Sequence, residues 1–434
     1  MVLQSPSFCG IYHKAFLLLR QSILLFLTVV LGACSLPELG ERNVVGVVAV
    51  NDPKIAKVGQ DMLNAGGNAA DAMTAMLFSG GVILPSRMGL GAGGVCQILD
   101  PTDGRVKTLN FLSRPMSFDR QIAVLGLPRG AYALQNKYGS KPWPEVVKNA
   151  KSLAENGVSV SELLSKDILS ARGLNASWKK LKKGDLLKQP ALAKTLGSIS
   201  VSGAGILYNG ALAQSIVSQS DQIIQEDLKN FKASFMDSID VSGPDGKTFF
   251  PNPSVLSSDA YMIWRGAKSN KEARQTEAIK SMQKLEDTIV PIDSRVQGMG
   301  LIAADKSGLV IACSVSMGRP FGTRQLTEQG FYLGAVIPHQ DTPSVYANFI
   351  KTNPDVTDVQ DALVGVGNYA LVDGLNEWAL HSNGAYLLKG VGTTEDRLDD
   401  KHSFAGLVCE KGYPNQVGSC QENENTYFVE QKSN

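Results

Sequence analysis

Residues 46–50 (Gly-Val-Val-Ala-Val) form a short β-branched run of the kind that makes a buried strand, and Asp52-Pro53 behind it supplies an N-cap and a first-turn proline. Ile55, Val58, Met62 and Leu63 then recur at helical spacing until Gly66-Gly67, where glycine accepts the left-handed C-cap conformation at little cost. Asn68 is placed to cap a second helix over 69–78, whose residues are nearly all small or apolar and which is expected to be buried on every side. After Pro85, the stretch from Met88 to Asp100 reads as a glycine loop running into a short apolar strand. Residues 116–230 are mainly helical in pattern, with helical-period stretches around 131–137, 143–156 and 190–196. Residues 236–270 are poorer in pattern and richer in Pro, Ser and Gly, and 271–286 read as a charged, solvated helix. From Gly300 the chain is strand-like again: 301–304, a Lys-Ser-Gly turn, then 310–315. No internal repeat or low-complexity tract is present.

Composition narrows the possible functions by exclusion. The 434 residues carry 42 Lys plus Arg against 41 Asp plus Glu, a net of +1 that supplies no global field for nucleic acid or anionic membrane, and no nucleic-acid partner is expected. With 43% hydrophobic residues the chain can bury a core, as one large α/β domain or as two or three small ones. Four His and six scattered Cys, with no CxxC and no HExxH, give no metal-ligand spacing, so no metal site is expected.

The N-terminus reads as an address. Lys14 and Arg20 precede an apolar run over 23–31 that is too short for a helix spanning ~30 Å of hydrocarbon, and the run ends Leu31-Gly32-Ala33-Cys34, which resembles a bacterial lipobox. Residues 1–33 are then a lipoprotein signal peptide and Cys34 the lipid-modified mature N-terminus; an uncleaved anchor, or an ordinary signal with an incidental Cys, is the alternative. Cleavage takes the formal charge from +1 to −1, because two cations and no acids lie before Cys34. The expected location is exported, periplasm-facing and lipid-anchored, with the outer membrane favoured because Ser35 is no acidic retention signal. Export permits disulfides; Cys409 and Cys420, in a polar tail, are the expected pair, while Cys96 and Cys313 sit in apolar runs and are expected to be buried thiols.

Gly89-Leu-Gly-Ala-Gly-Gly94 fits GxGxxG, yet a dinucleotide fingerprint needs a strand before it, a helix after it and an acid about twenty residues on. Here the loop follows Pro85 and leads into Val-Cys-Gln-Ile-Leu, so no dinucleotide or other cofactor is expected, and a tight turn between neighbouring backbones fits better.

The succession of motifs carries a family resemblance. Val-Ala-Val-Asn-Asp-Pro at 48–53, Ala-Gly-Gly-Asn-Ala-Ala-Asp-Ala at 65–72 and the glycine loop resemble the start of γ-glutamyltransferases, also called glutathione hydrolases. Gly126-Leu-Pro-Arg-Gly-Ala-Tyr, Tyr138-Gly-Ser-Lys-Pro-Trp-Pro, Ala154-Glu-Asn-Gly-Val-Ser-Val, Leu187-Lys-Gln-Pro-Ala-Leu-Ala-Lys-Thr-Leu and Leu207-Tyr-Asn-Gly-Ala-Leu-Ala are similar to that family's helical middle. Coverage is good over 45–230 and weaker over 285–340. The resemblance implies an α/β (α+β) four-layer αββα sandwich of the N-terminal-nucleophile hydrolase type. It makes 34–434 a single domain, with 34–290 like the large subunit and 291–434 like the small one.

It also implies a Thr that self-cleavage turns into a new N-terminus, so that its α-amine serves as base for its hydroxyl. The family's Thr-Thr-His stretch falls on Gly298-Met299-Gly300, none of which can act as a nucleophile. Leu112 stands where the family has its substrate-carboxylate Arg, with Arg114 two residues displaced, a shift of ~6.5 Å along a strand. Gly318 replaces an Asn, and the amine-clamping acidic run falls on Gly334-Ala335-Val336-Ile337-Pro338. Gly365-Val366-Gly367-Asn368 is an imperfect stand-in for the Gly-Gly oxyanion element.

Loss of nucleophile, both clamps and oxyanion element points to a pseudoenzyme with a binding role in the cell envelope, its ligand a small peptide or a protein. The alternative is an active glutathione hydrolase or related amidohydrolase with a displaced nucleophile. Thr288 and Ser294 are the candidates, with Cys313 and Ser314 nearby. His339, His381 and His402 are isolated and read as structural or surface residues.

Overall fold

The computed structural model describes residues 44–117, 121–220, 222–243, 245–256, 296–337, 346–367, 404–421 and 426–430. Seven antiparallel strands form one sheet in the order β14 (Thr426–Glu430), β1 (Val44–Ala49), β9 (Gly298–Asp305), β10 (Val310–Ser316), β2 (Gly93–Asp100), β3 (Arg105–Phe111) and β6 (Ser234–Asp237). Five more form a second: β13 (Phe404–Tyr413), β12 (Val359–Val366), β11 (Tyr346–Thr352), β8 (Gly246–Phe250) and β7 (Ile239–Gly243). A small hairpin pairs β4 (Val158–Ser159) with β5 (Leu186–Leu187).

Every residue of β9 and β10 is buried, and the period of two assigns them to two cores. Ile302, Ala304, Val310 and Ala312 face the second sheet, against Ile350, Ala362 and Val364, while Met299, Leu301, Ala303, Ile311 and Val315 face a helical layer. That layer opens with α1 (Pro53–Asn64), which lies on β1, and α2 (Ala69–Ile83), which lies on β9 and β10. Both carry the expected caps: Asp52 Oδ1 accepts from the Lys54 and Ile55 amides, and Asn68 caps α2. All fifteen residues of α2 are buried, because α4 (Leu127–Tyr138) and α5 (Trp143–Asn156) cover its other side. The single turn α3 (Pro85–Met88) separates α2 from the glycine loop. The layer continues through α6 (Glu162–Ser170), α7 (Ala176–Lys179), α8 (Pro190–Ser202), α9 (Ala211–Val217) and α10 (Gln225–Asn230).

Two expectations are corrected. Cys96 and Cys313 are not free thiols but a disulfide, because β2 and β10 are adjacent in a register that sets the two residues opposite one another, Cα atoms 4.0 Å apart. The weakly patterned stretch after 236 supplies β7, the largely exposed edge strand of the second sheet, and β8, a short, mostly buried strand inside it; five residues each, they are too short to show a period of two. Cys409 and Cys420 are also disulfide-bonded. Cys34, Pro338, Asn368, the three isolated histidines and the 271–286 segment lie outside the described residues.

The Asn-Ala-Ala-Asp motif is a structural node. Asn68 and Asp71 close a capping box at the start of α2. The Asp71 carboxylate takes five hydrogen bonds: from the Asn68, Ser140 and Lys141 amides, the Ser140 hydroxyl and the Gln135 side chain. Asp305, at the end of β9, accepts the Ala69 amide at 2.8 Å, tying α2 to the central strand. Burial pushes the Asp71 carboxyl up, but the bonds from Ser140, Gln135, Lys141 and Asn68 outweigh it and hold the group below the ordinary carboxylate range. A carboxyl depressed in the folded state contributes stability that is complete above its unfolded pKa, near ~4, and is lost as pH falls through the folded value. Asp71→Asn is therefore expected to cost about 3 kcal/mol at neutral pH. Urea melts at successively lower pH should show the gap between variant and wild type narrowing below about pH 4.

Candidate active site

The strand that would carry the family nucleophile begins at Gly298, where Gln297 makes a bridge to Gly367 of the second sheet. A Cβ on Gly298 would stand 2.2 Å from the Val315 carbonyl oxygen and 2.8 Å from Val366 Cβ, and one on Gly300 would stand 2.2 Å from the Val364 carbonyl oxygen. The obstructing oxygens belong to backbone fixed in ladders, which cannot rotate aside as a side chain could. Met299, between them, is fully buried on the opposite face, in the core beneath the helices. The backbone is also held on both sides of the position: the Ser316 hydroxyl donates to the Gln297 carbonyl at 2.7 Å, and Arg87 Nη1 to that of Gly298 at 3.5 Å.

The surroundings are apolar where γ-glutamyl recognition needs charge. Val95, Leu256, Val296, Tyr346 and Val366 form a buried cluster, with Leu112 and Ile337 packed against it. Leu112 stands at the position that the family resemblance assigns to substrate-carboxylate recognition, and Ile337 lies within the stretch aligned with its amine-clamping run. A carboxylate or ammonium brought here would lose hydration, and the described residues of this cluster offer it no counter-charge. Arg114 does not substitute: it is exposed, with its guanidinium 5.8 Å from the centre of the Phe231 ring.

The glycine loop leads into β2, not a helix, and its glycines serve close packing. A Cβ on Gly91 would meet the Tyr332 carbonyl oxygen at 2.4 Å and one on Gly334 the Gly91 carbonyl oxygen at 2.1 Å, so the two segments touch backbone to backbone. Gly318 has a φ of 84° and packs against Ala335. Gly365 is a ladder residue of β12 between β11 and β13 rather than a free pair of donors.

One cluster has no counterpart in the sequence reading. Arg87, on the α3 turn, donates through Nε and Nη2 to the two carboxylate oxygens of Asp167 on α6 at 3.0 and 3.1 Å, and the Ser86 hydroxyl donates to Asp167 Oδ2 at 2.6 Å. Both charged side chains are only 4% exposed. The fork-on-carboxylate geometry satisfies both ions without water, and the remaining Arg87 donors reach the Gly298 region. The available signal was Arg87 itself, a cation inside an otherwise apolar and glycine-rich stretch; its partner 80 residues away was not readable.

Of the proposed nucleophiles, Cys313 is consumed in the disulfide and Ser314 is buried, its hydroxyl directed at the Ala347 and Gly365 carbonyls with no base in contact. Thr288 and Ser294 lie outside the described residues. Among the described residues no group of three or more His, Cys, Asp or Glu could hold a metal ion.

The fold is that of the N-terminal-nucleophile hydrolases: the cephalosporin acylase from Bacillus halodurans superposes with a TM-score of 0.62 over 80% of this chain and 83% of that one, at 18% identity. The described residues supply three layers of that αββα sandwich, helices on sheet on sheet. A family model for gamma-glutamyltranspeptidase matches residues 55–263. A glutathione hydrolase of Aspergillus flavus is 32% identical over 221 residues, 44% of this chain and 37% of the relative. The glutathione hydrolase proenzyme of Escherichia coli is 30% identical over 225 residues, 43% and 39% respectively. The match thus spans well under half the length of these relatives. Over residues 55–263, just under half of the chain, the sequence is thus similar to the γ-glutamyltransferase family.

Because a buried ion pair is costly to break but not to replace whole, Arg87→Met alone should lose about 3–5 kcal/mol, and Arg87→Met with Asp167→Leu should recover most of it. Denaturant melts of the two singles and the double test this; additive losses would show the pair is uncoupled.

Proposed function

We propose that this protein is an exported, lipid-anchored member of the γ-glutamyltransferase family that no longer transfers γ-glutamyl groups and acts as a binding component of the cell envelope. The observation that carries the reading is Gly298, a nucleophile position with neither a side chain nor room for one. Without the nucleophile the covalent route is absent, and loss of an oxyanion donor alone costs ~3 kcal/mol of barrier. The apolar cluster at Leu112 and Ile337 supports the same reading, since it removes the charges that would select a γ-glutamyl group.

Export is supported by the lipobox-like Leu31-Gly-Ala-Cys34 and by two disulfides, a usage that belongs to oxidising compartments. Cys34 would carry the lipid, and the body would face the periplasm.

Intact mass of the purified protein, with and without reductant, should give one chain beginning at Cys34, and incubation with a γ-glutamyl anilide should release no anilide. Two fragments, the smaller beginning at Thr288 or Ser294, together with anilide release, would replace this reading with that of an active hydrolase using a displaced nucleophile. Gly298→Thr should not create activity and should destabilise by about 1–3 kcal/mol, because the added side chain meets fixed backbone; thermal melts and the same anilide assay check both halves.

A further inference from the structure

A chain of near-zero net charge nevertheless carries a strongly cationic face. Residues 162–188 hold seven cations and three acids. Asp167 is buried against Arg87, Glu162 pairs with Lys166 and Lys183, and the Asp185 carboxylate accepts the Lys182 backbone amide. Lys179, Lys180, Lys182 and Lys188 are exposed and have no carboxylate partner among the described residues.

The same part of the helical layer exposes apolar side chains. Leu186 is 59% exposed and Val201 87%, and Leu169, Leu326 and Tyr132 are exposed as well; these are all the exposed large apolar residues among those described. Leu181, Leu186, Lys188 and Leu326 border one open groove of about 470 Å³, and Lys151, Lys194 and Val201 border another, with Pro190 common to both, so the surface is continuous. Tyr132 extends it past the end of α8, where it stands beside Gly203.

We propose that this helical face docks on an anionic lipid bilayer, with the lysines against headgroups and Leu186 and Val201 in the interfacial region. Long lysine stems let the ammonium groups reach phosphates while the leucine and valine side chains enter the apolar boundary. A bilayer fits better than an acidic polypeptide because it accepts scattered cations and single apolar side chains without positional matching, and neither groove offers an array of fixed polar partners. The inference stands apart from the fate of the catalytic site and from lipid modification at Cys34.

The test is flotation of the full chain carrying Cys34→Ser, so that no acyl group contributes, with vesicles of phosphatidylcholine alone and vesicles containing phosphatidylglycerol. The readout is the ratio of the two partition coefficients, which cancels any neutral attraction of the N-terminal segment. The ratio should exceed one at low salt and fall towards one at high salt. K179Q/K180Q/K182Q, three exposed positions whose neutralisation leaves the core untouched, should lower the ratio on the order of 100-fold. A ratio of one in the wild type, or a triple variant that floats as the wild type does, overturns the proposal. Salt-sensitive capture by polyglutamate without preference for anionic vesicles also overturns it, in favour of an acidic polypeptide.

Discussion

The approach of β9 to its neighbours governs what this molecule can do. Facing sheets ordinarily stand about 10 Å apart, a distance set by interleaved side chains. At Gly300 the Val364 carbonyl occupies the place of a Cβ, and at Gly298 the Val315 carbonyl does so. Neither position has room for a side chain as the strands now stand. Ser316 and Arg87 hold the carbonyls on either side, and the apolar cluster around Val366 seals the approach.

The motifs that carry the family resemblance include residues that hold the scaffold. Asn68 and Asp71 form a capping box, Asp71 gathers donors from two segments beyond its own helix, and Asp305 ties that helix to β9. These bonds serve the fold whether or not the sandwich is catalytic, because they satisfy amides at the start of α2 and anchor the loop between α4 and α5. A substrate-binding arginine or a nucleophilic threonine stabilises nothing in the resting fold. Leu112 and the glycines of β9 are engaged in packing.

The same distinction explains what could be read from sequence. The strand at 44–49, both N-capped helices and the β9–β10 hairpin follow from local pattern, because their caps and periods lie within a few residues. Which residue types stand at the positions aligned with the family's site is read directly from the sequence, without any knowledge of spatial partners. The Cys96–Cys313 bond and the Arg87–Asp167 pair were not, since each joins residues 217 and 80 positions apart and depends on strand register or helix placement. Periodicity reports that a residue is buried; it does not report the partner.

Net charge obscures a different kind of information. A value of +1 averages 42 cations against 41 anions and excludes a global field, but a neighbouring surface senses only charges within about a Debye length, ~8–10 Å. Over that range the 179–188 segment is cationic, since five lysines outweigh Asp185, and Asp167 and Glu162 beside it are paired with Arg87, Lys166 and Lys183. Each of those engagements is a side-chain contact, so the excess charge becomes visible only once the fold has assigned the acids their partners. The burial of Asp167 against Arg87 therefore has two consequences. It closes the interior beside Gly298, and it withdraws a carboxylate from the balance of the helical face outside.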